Sequence, residues 1–142
     1  MCVIISPRTE LNQQQVQHLS IRAAAPEHVN DNGPFRAWDQ PAAESMLYAV
    51  IVPGSPMPIG IFYGHLLESA LEVGWWLDIE WRSKHLGRAA AAEFGEVLKL
   101  KYPQFRGPIH APIMTFGGRY DDASRALLEE FKRHFLGDSN AR

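Results

Sequence analysis

The sequence predicts one α/β domain in which helices flank a mixed, mostly antiparallel central sheet. Three observations support this prediction. The chain has 142 residues, an ordinary length for a single domain. Apolar runs of strand length alternate with segments of helical periodicity. Three of the predicted strands follow one another through short turns, which favours an antiparallel meander, and a helix crosses over only later.

The N-terminal part is predicted to form a strand, a helix and a long loop. The strand covers Cys2–Ser6, an apolar run that ends before Pro7. Thr9 is the predicted cap of the helix, whose apolar residues recur at helical spacing. From Ala23 to Pro41 this periodicity disappears and Pro, Asn and Gly accumulate. Loops of that length in compact domains often wall a substrate site.

The meander is predicted in the middle of the chain. Its strands are Met46–Val52, Ile59–Leu67 and Leu71–Leu77. Pro-Gly-Ser-Pro and Glu-Ser-Ala form the turns between them. In the third strand apolar and other residues alternate, and its tryptophans are expected mainly in the core.

The C-terminal part returns to helical periodicity. A helix is predicted over Leu86–Lys101, ending at Tyr102-Pro103 because the residue before proline disfavours helical geometry. Gly107–Met114, interrupted by two prolines, is predicted as an edge-like strand. A last helix covers Asp122–Phe135, with an expected buried face made of Ala126, Leu127, Phe131 and Phe135.

Composition limits the class of protein. The chain is 46% hydrophobic and 21% charged, as soluble globular domains are. With 14 Lys and Arg against 16 Asp and Glu, it lacks the basic excess of a typical nucleic-acid binder. Cys2 is the only cysteine, and the histidines show no paired ligand spacing, so we expect no disulfide and no metal site. With no targeting or membrane segment recognised, a cytoplasmic protein is expected.

A polar loop between the third meander strand and the following helix carries the strongest chemical signal. Backbone N–H groups at a helix start are unpaired and bear the positive end of the helix dipole. Basic side chains beside them favour an anion such as phosphate. A solvated basic turn is the alternative. The loop and the first helical residues are Arg82, Ser83, Lys84, His85, Leu86, Gly87 and Arg88.

This segment resembles motif A of the GNAT N-acetyltransferase superfamily, commonly written Arg/Gln-x-x-Gly-x-Gly/Ala. The lead-in Trp-Trp-Leu-Asp and the Ala-rich helix are also typical of that family. Asp121-Asp122-Ala123-Ser124 and the residues after it resemble motif B, usually Asn-x-x-Ser-x-x-Leu-Tyr. The resemblance implies a GNAT-like fold with a shortened C-terminal part, and acetyl-CoA as co-substrate. It implies cofactor contacts from the loop residues 82–88 and from Leu77, Ile79, Asp121 and Ser124.

Three positions depart from the family pattern. His85 replaces the first glycine of motif A, and Asp121 stands where asparagine is usual. Leu128 takes the position at which many members place a tyrosine that protonates the departing thiolate. The short C-terminus also leaves little room for the family's final strand pair. An exposed strand edge left there would favour a homodimer.

Acetyl transfer from a thioester to an amine needs a base for the amine proton, a donor for the oxyanion and an acid for the thiolate. Glu72 is the first candidate for the base, because many family members use a strand glutamate acting through water. His65 on the preceding strand is a second candidate, since an imidazole ordinarily titrates near about pH 6.5. Either residue could instead be an ordinary strand side chain. Tyr120 is the candidate acid, followed by His110.

The expected function is direct transfer of an acetyl group from acetyl-CoA to a primary amine in a ternary complex. The amine could belong to a small molecule, an amino acid or a peptide. One alternative is a CoA-binding or protein-interaction module of the same fold without turnover. Another is a member acting on a nucleic-acid-linked amine, which the charge balance disfavours.

Overall fold

The structure, a computed structural model, describes residues 3–28, 38, 46–81, 86–111 and 122–137, with only the backbone described at His28, Ile79 and 122–124. Its strands and helices follow one another in the predicted order. Short 3-10 helices cover Arg8–Glu10, Pro26–His28 and Ile79–Trp81. The main elements are β1 (Ile4–Pro7), α1 (Gln13–Ala23), β2 (Leu47–Ile51), β3 (Gly60–Leu66), β4 (Leu71–Leu77), α2 (Leu86–Lys101), β5 (Ile109–His110) and α3 (Asp122–Leu136).

The five strands form one sheet in chain order, β1-β2-β3-β4-β5. The first four pair antiparallel, and β5 pairs parallel with β4. A parallel neighbour requires a crossover, which α2 supplies. The predicted mixed, mostly antiparallel sheet is therefore confirmed for the described residues.

Two apolar clusters hold the helices on opposite faces of the sheet. Alternate residues of β2, β3 and β4 pack against α2 and α3 in the larger cluster, centred on the fully buried Phe94. The smaller cluster joins α1, through Leu19, to the other face. Trp75 and Trp76 point to opposite faces, and both are buried, as expected of core tryptophans.

The N-terminal cap of α1 differs from the prediction. The prediction that Thr9 caps the helix is wrong, because Thr9 lies in the preceding 3-10 helix. Asn12 is the cap: its side chain accepts from the Gln15 backbone N–H at 2.8 Å, and the Gln15 side chain accepts from the Asn12 N–H at 3.0 Å. This reciprocal capping box satisfies two N–H groups that a helix start otherwise leaves free.

Other bounds differ by a few residues. β1 includes Pro7, which an edge strand tolerates because one side of it needs no ladder hydrogen bond. In the described residues β5 is limited to Ile109–His110, and the end of the predicted Gly107–Met114 strand lies outside them. Ala126 is exposed, contrary to the prediction, since the buried face of α3 follows a four-residue spacing through Leu127, Phe131 and Phe135.

Among the described residues, no helix combines the length and the apolar character needed to cross a membrane. Most of the predicted loop 23–41 lies outside those residues, although α1 continues through Ala23 and a 3-10 helix follows at Pro26–His28. The expected homodimer stays a prediction.

Candidate active site

Three polar residues lie at one level across three neighbouring strands. His65 of β3 is paired in register with Glu72 of β4, and Glu72 is paired with His110 of β5. Paired positions point to the same face of a sheet, and directly opposite antiparallel residues have Cβ atoms roughly 4.5–5.5 Å apart. We call His65, Glu72 and His110 the polar row. The structure therefore brings together the two candidate bases and the second candidate acid.

Tyr63 adjoins the polar row and was not singled out from the sequence. It precedes His65 by two residues on β3, so both side chains share a face. Its hydroxyl oxygen lies 3.2 Å from His65 Nδ1. Burial raises the pKa of Tyr63 above its ordinary value of 10.0, and the negative charge of Glu72 raises it further. The tyrosine is thus tied to the row by a hydrogen bond and by charge.

The row lies near the beginning of β4, on the face that carries α1. The cluster beneath α1 covers Ile61 and Trp76 and extends to Tyr63. His65 and Glu72 beyond it are partly buried, and His110 is exposed. Solvent and a small substrate therefore have access to the row, while Tyr63 lies at the edge of the apolar packing.

In the described part of the chain, β4 and β5 pair at two positions only, Leu71 with Ile109 and Glu72 with His110. β4 continues beyond this pairing to Leu77. A strand rises about 3.3 Å per residue, so Glu72 and Leu77 are separated by roughly 16 Å. A carboxylate cannot reach across that span through a single water. Glu72, the predicted base, and Leu77, a predicted cofactor contact, are therefore too far apart to act on the same atom in this way.

The start of α2 is packed against its neighbours. Leu86 is buried in the larger apolar cluster. A Cβ added to Gly87 would come within 3.3 Å of a methyl group of Leu127 on α3. Arg88 Nη2 donates to Glu130 Oε1 at 3.1 Å. The described contacts of these residues are thus with the core and α3, and their expected contacts with a pyrophosphate stay predictions.

The remaining predicted site residues are described in full, by their backbone alone, or not at all. Leu77 ends β4 and packs against the larger cluster. Only the backbone is described at Ile79 and Ser124. Their roles stay predictions. The predicted site residues that lie outside the described ranges are Arg82, Ser83, Lys84, His85, Tyr120 and Asp121.

A partly buried ion pair joins α1 to the end of β4. Arg22 Nε and Nη2 donate to the two carboxylate oxygens of Asp78, at 2.6 and 2.9 Å. Asp78 is 4% exposed and also accepts from the Glu80 backbone N–H at 3.2 Å. Its hydrogen bond raises the pKa of Arg22, which stays fully charged. The pair borders a cavity of about 240 Å³ also lined by His18, Met57 and Trp81.

Sequence reasoning missed this pair because its members are 56 residues apart. No local pattern links two such positions. Of the two residues, only Asp78 belonged to a recognised motif, as the last residue of the Trp-Trp-Leu-Asp segment. The structural result is that α1 is anchored directly to the segment that precedes residues 82–85.

A second set of charges lies between α2 and α3. Glu130, which is mostly buried, contacts the guanidinium groups of Arg88 and Arg133. His134 lies between two carboxylates, with Nδ1 at 2.8 Å from Glu96 Oε2 and Nε2 at 3.3 Å from Glu130 Oε2. We call these five residues the α2–α3 charge cluster. It links the beginning of α2 to the end of α3.

The polar row and Tyr63 together provide a carboxylate, two imidazoles and a phenol. These are groups that enzymes use to accept and donate protons. No group of three or more His, Cys, Asp or Glu side chains in the described ranges is placed to hold a metal ion.

No protein-family model matches the chain, and no curated protein matches it significantly.

Proposed function

We propose that this protein is an N-acetyltransferase that moves an acetyl group from acetyl-CoA to a primary amine within a ternary complex. The observation that carries the proposal is the polar row, which brings His65, Glu72 and His110 to one level beside the parallel β4–β5 pair. The sheet order and the crossover through α2 are compatible with the GNAT resemblance of the sequence.

Glu72 is the proposed base. An ammonium group must lose a proton before its nitrogen can attack the thioester carbonyl. That first proton passes to solvent. As the C–N bond forms and the C–S bond breaks, the carboxylate takes a second proton from the nitrogen, and the thiolate leaves as CoA thiol once it is protonated. The acceptor amine lies between Glu72 and the thioester, above the middle of β4. Backbone N–H groups of β4 are the proposed donors to the oxyanion.

The cofactor's pyrophosphate is proposed to bind where β4 leads into α2. Residues 82–88 contain three basic side chains and the unpaired N–H groups of a helix start, the combination that favours phosphate. The ion pair between Arg22 and Asp78 supports this proposal, because it anchors the chain just before these residues.

The direct test is calorimetric titration of the purified protein with acetyl-CoA, with CoA titrated in parallel. We expect micromolar binding, followed by release of thiol when an amine acceptor is added. An Arg82→Ala/Lys84→Ala variant should lose most of the affinity. Arg106→Ala is the matched control, since Arg106 donates to the carbonyl groups of Pro103 and Phe105 in its own loop. A folded protein that binds neither ligand contradicts the proposal.

Gly87→Trp is a poor probe of the same site. The glycine already lies against Leu127, so an indole there would separate α2 from α3. Loss of binding in that variant would then report a damaged fold. The Arg82→Ala/Lys84→Ala variant removes charge and adds no bulky side chain.

Two observations favour a second candidate, a CoA-binding module of the same fold without turnover. Arg88 is held by Glu130. Leu128, which stands at the usual tyrosine position, is packed toward the larger apolar cluster. The two candidates differ in one result: the module binds acetyl-CoA but releases no thiol with any amine of a broad panel.

A further inference from the structure

We infer that Tyr63 is a positioning residue whose hydroxyl donates to His65 Nδ1 and keeps the ring proton of neutral His65 on Nε2. His65 is then the proton donor of the site, and Glu72 is the proton acceptor. This inference rests on the proposed acetyl transfer for its chemistry. It also assigns separate roles to two residues that sequence reasoning left as competing candidates for the base.

The surroundings of Tyr63 keep its hydroxyl proton available for this hydrogen bond. Burial raises the pKa of its hydroxyl, and the charge of Glu72 raises it further, so the phenol is protonated at neutral pH. A neutral imidazole has one ring nitrogen that donates and one that accepts. Tyr63 Oη lies 3.2 Å from His65 Nδ1, and in the inferred arrangement the phenol O–H donates and Nδ1 accepts. That arrangement leaves the ring proton of His65 on Nε2.

The register places both residues beside β4. Tyr63 is opposite Gly74, and His65 is opposite Glu72. Gly74 contributes no side chain next to the tyrosine ring. The donor pair of β3 and the carboxylate of β4 thus share a face of the sheet where the thioester is proposed to lie.

The proton transfers balance over one turnover. The ammonium group releases its first proton to solvent before attack. Glu72 accepts the second proton from the attacking nitrogen, and His65 Nε2 gives its proton to the departing thiolate. Nδ1 of His65 then takes the proton of Tyr63, which becomes a phenolate. The carboxylic acid of Glu72 returns its proton to that phenolate through solvent. Each side chain is then in its starting form.

Charge couples the two halves of the site. Burial is the larger cause of the raised pKa of Tyr63, and the negative charge of Glu72 adds to it. Once Glu72 has accepted the proton of the amine, that contribution is lost and Tyr63 becomes a stronger acid. The donor side therefore gains acidity at the stage when the thiolate needs a proton. Of the described residues, the titratable groups facing His65 in this register are Tyr63, Glu72 and His110.

The tautomer of His65 can be measured without any cofactor. In protein labelled with ¹⁵N at histidine, the His65 signals are assigned by comparison with His65→Gln. We expect the Nε2–H form in the wild type and a mixture of tautomers in Tyr63→Phe. Tyr48→Phe, which removes a hydroxyl on the opposite face, is the control and should leave His65 unchanged. An Nδ1–H form in the wild type would overturn the inference.

Turnover tests the chemical part. General acid catalysis contributes about 10²–10⁴-fold, so Tyr63→Phe should lower kcat by about tenfold or more while the affinity for acetyl-CoA stays unchanged. A changed tautomer with unchanged kcat would overturn the proton-donor role. If the wild type binds no acetyl-CoA, the proposed function fails together with the chemical roles, and the histidine spectra still decide the Tyr63–His65 hydrogen bond.

Discussion

At the scale of single residues, Glu72 is the side chain on which the proposed chemistry depends most. Replacing its carboxylate with an amide in Glu72→Gln removes the base while leaving the shape of the side chain. We expect kcat at neutral pH to fall by about 10²-fold or more, the usual contribution of a general base. Calorimetry should show unchanged affinity for acetyl-CoA. Glu68→Gln, in the exposed turn between β3 and β4, is the control.

If Glu72→Gln weakens acetyl-CoA binding and leaves kcat unaffected, Glu72 is a binding residue and the assignment of the base is wrong. The same result would leave His65 as the remaining candidate of the row.

Glu130 would compete with a bound phosphate for the guanidinium group of Arg88. Its ion pair with Glu130 is solvent-exposed on the arginine side, and exposed pairs of this kind contribute at most about 1 kcal/mol. Glu130→Gln should therefore tighten acetyl-CoA binding by up to about fivefold, measured by titration. Glu129→Gln, one residue earlier on α3, is the control. Weaker binding in Glu130→Gln would mean that Glu130 orients Arg88 toward the cofactor.

A site residue could be predicted from the sequence when its partner lay nearby in the chain. Glu72 and His65 stood on neighbouring strands joined by a short turn, so their proximity was predictable. Tyr63 shares a face with His65 by alternation, but only the structure shows the hydrogen bond between them. Arg22 and Glu130 contact partners far away in the chain, and no periodicity marks such pairs.

At the scale of elements, the crossing of α2 and α3 depends on Gly95. A Cβ there would lie 2.7 Å from the Phe131 carbonyl oxygen and 2.9 Å from the His134 Cβ. The nearest of these is a backbone atom, so the two helices would have to separate. We expect Gly95→Ala to lower the free energy of unfolding by about 1–3 kcal/mol, measured by urea titration.

Gly87→Ala is the matched control on the same helix. Its nearest neighbour is a methyl group of Leu127, which can move, and alanine favours helix over glycine by about 1 kcal/mol. This variant should be as stable as the wild type or slightly more stable. Equal effects at the two glycines would show that the close crossing at Gly95 is not what limits stability.

The elements best predicted from sequence had a strong signal at one end. β4 and α2 have the predicted bounds; a short turn precedes the strand, and a Tyr-Pro step ends the helix. The predicted start of α1 was wrong because Thr9 was the only cap considered, whereas the structure shows that the Asn12 side chain caps the helix. The bounds of β5 were poorly predicted because two prolines interrupt its apolar pattern.

At the scale of the whole molecule, the α2–α3 charge cluster makes stability depend on pH. The hydrogen bond with His134 holds the pKa of Glu96 below its ordinary value of 4.5. Burial raises the pKa of Glu130, but the hydrogen bond from Arg88 and the nearby charges outweigh it and hold this pKa below 4.5 too. Both carboxylates therefore stabilise the fold fully above pH 4.5, and the contribution is lost as the pH falls through their lower folded-state pKa values.

Urea titrations at a series of pH values between about 6 and 3 should show this loss. Glu96→Gln should flatten the dependence below pH 4.5, because the unfolded and folded states then bind the same number of protons at that position. Glu93→Gln, on the same helix but outside the cluster, should keep the wild-type slope. Identical slopes in the wild type and Glu96→Gln would contradict the role of Glu96.

Neighbouring strands of the sheet also follow one another in the chain, and the connections between them differ in length. The entropy lost when a connection is closed therefore differs from one strand pair to the next. The turn between β3 and β4 spans residues 67–70, whereas residues 8–46 separate β1 from β2. Closing the longer connection costs about 2 kcal/mol more in a flexible chain. The sheet should therefore open first at β1, and native-state hydrogen exchange should be faster in β1 than in β3. Slower exchange in β1 would show that its anchoring to α2 outweighs the entropy of the long connection.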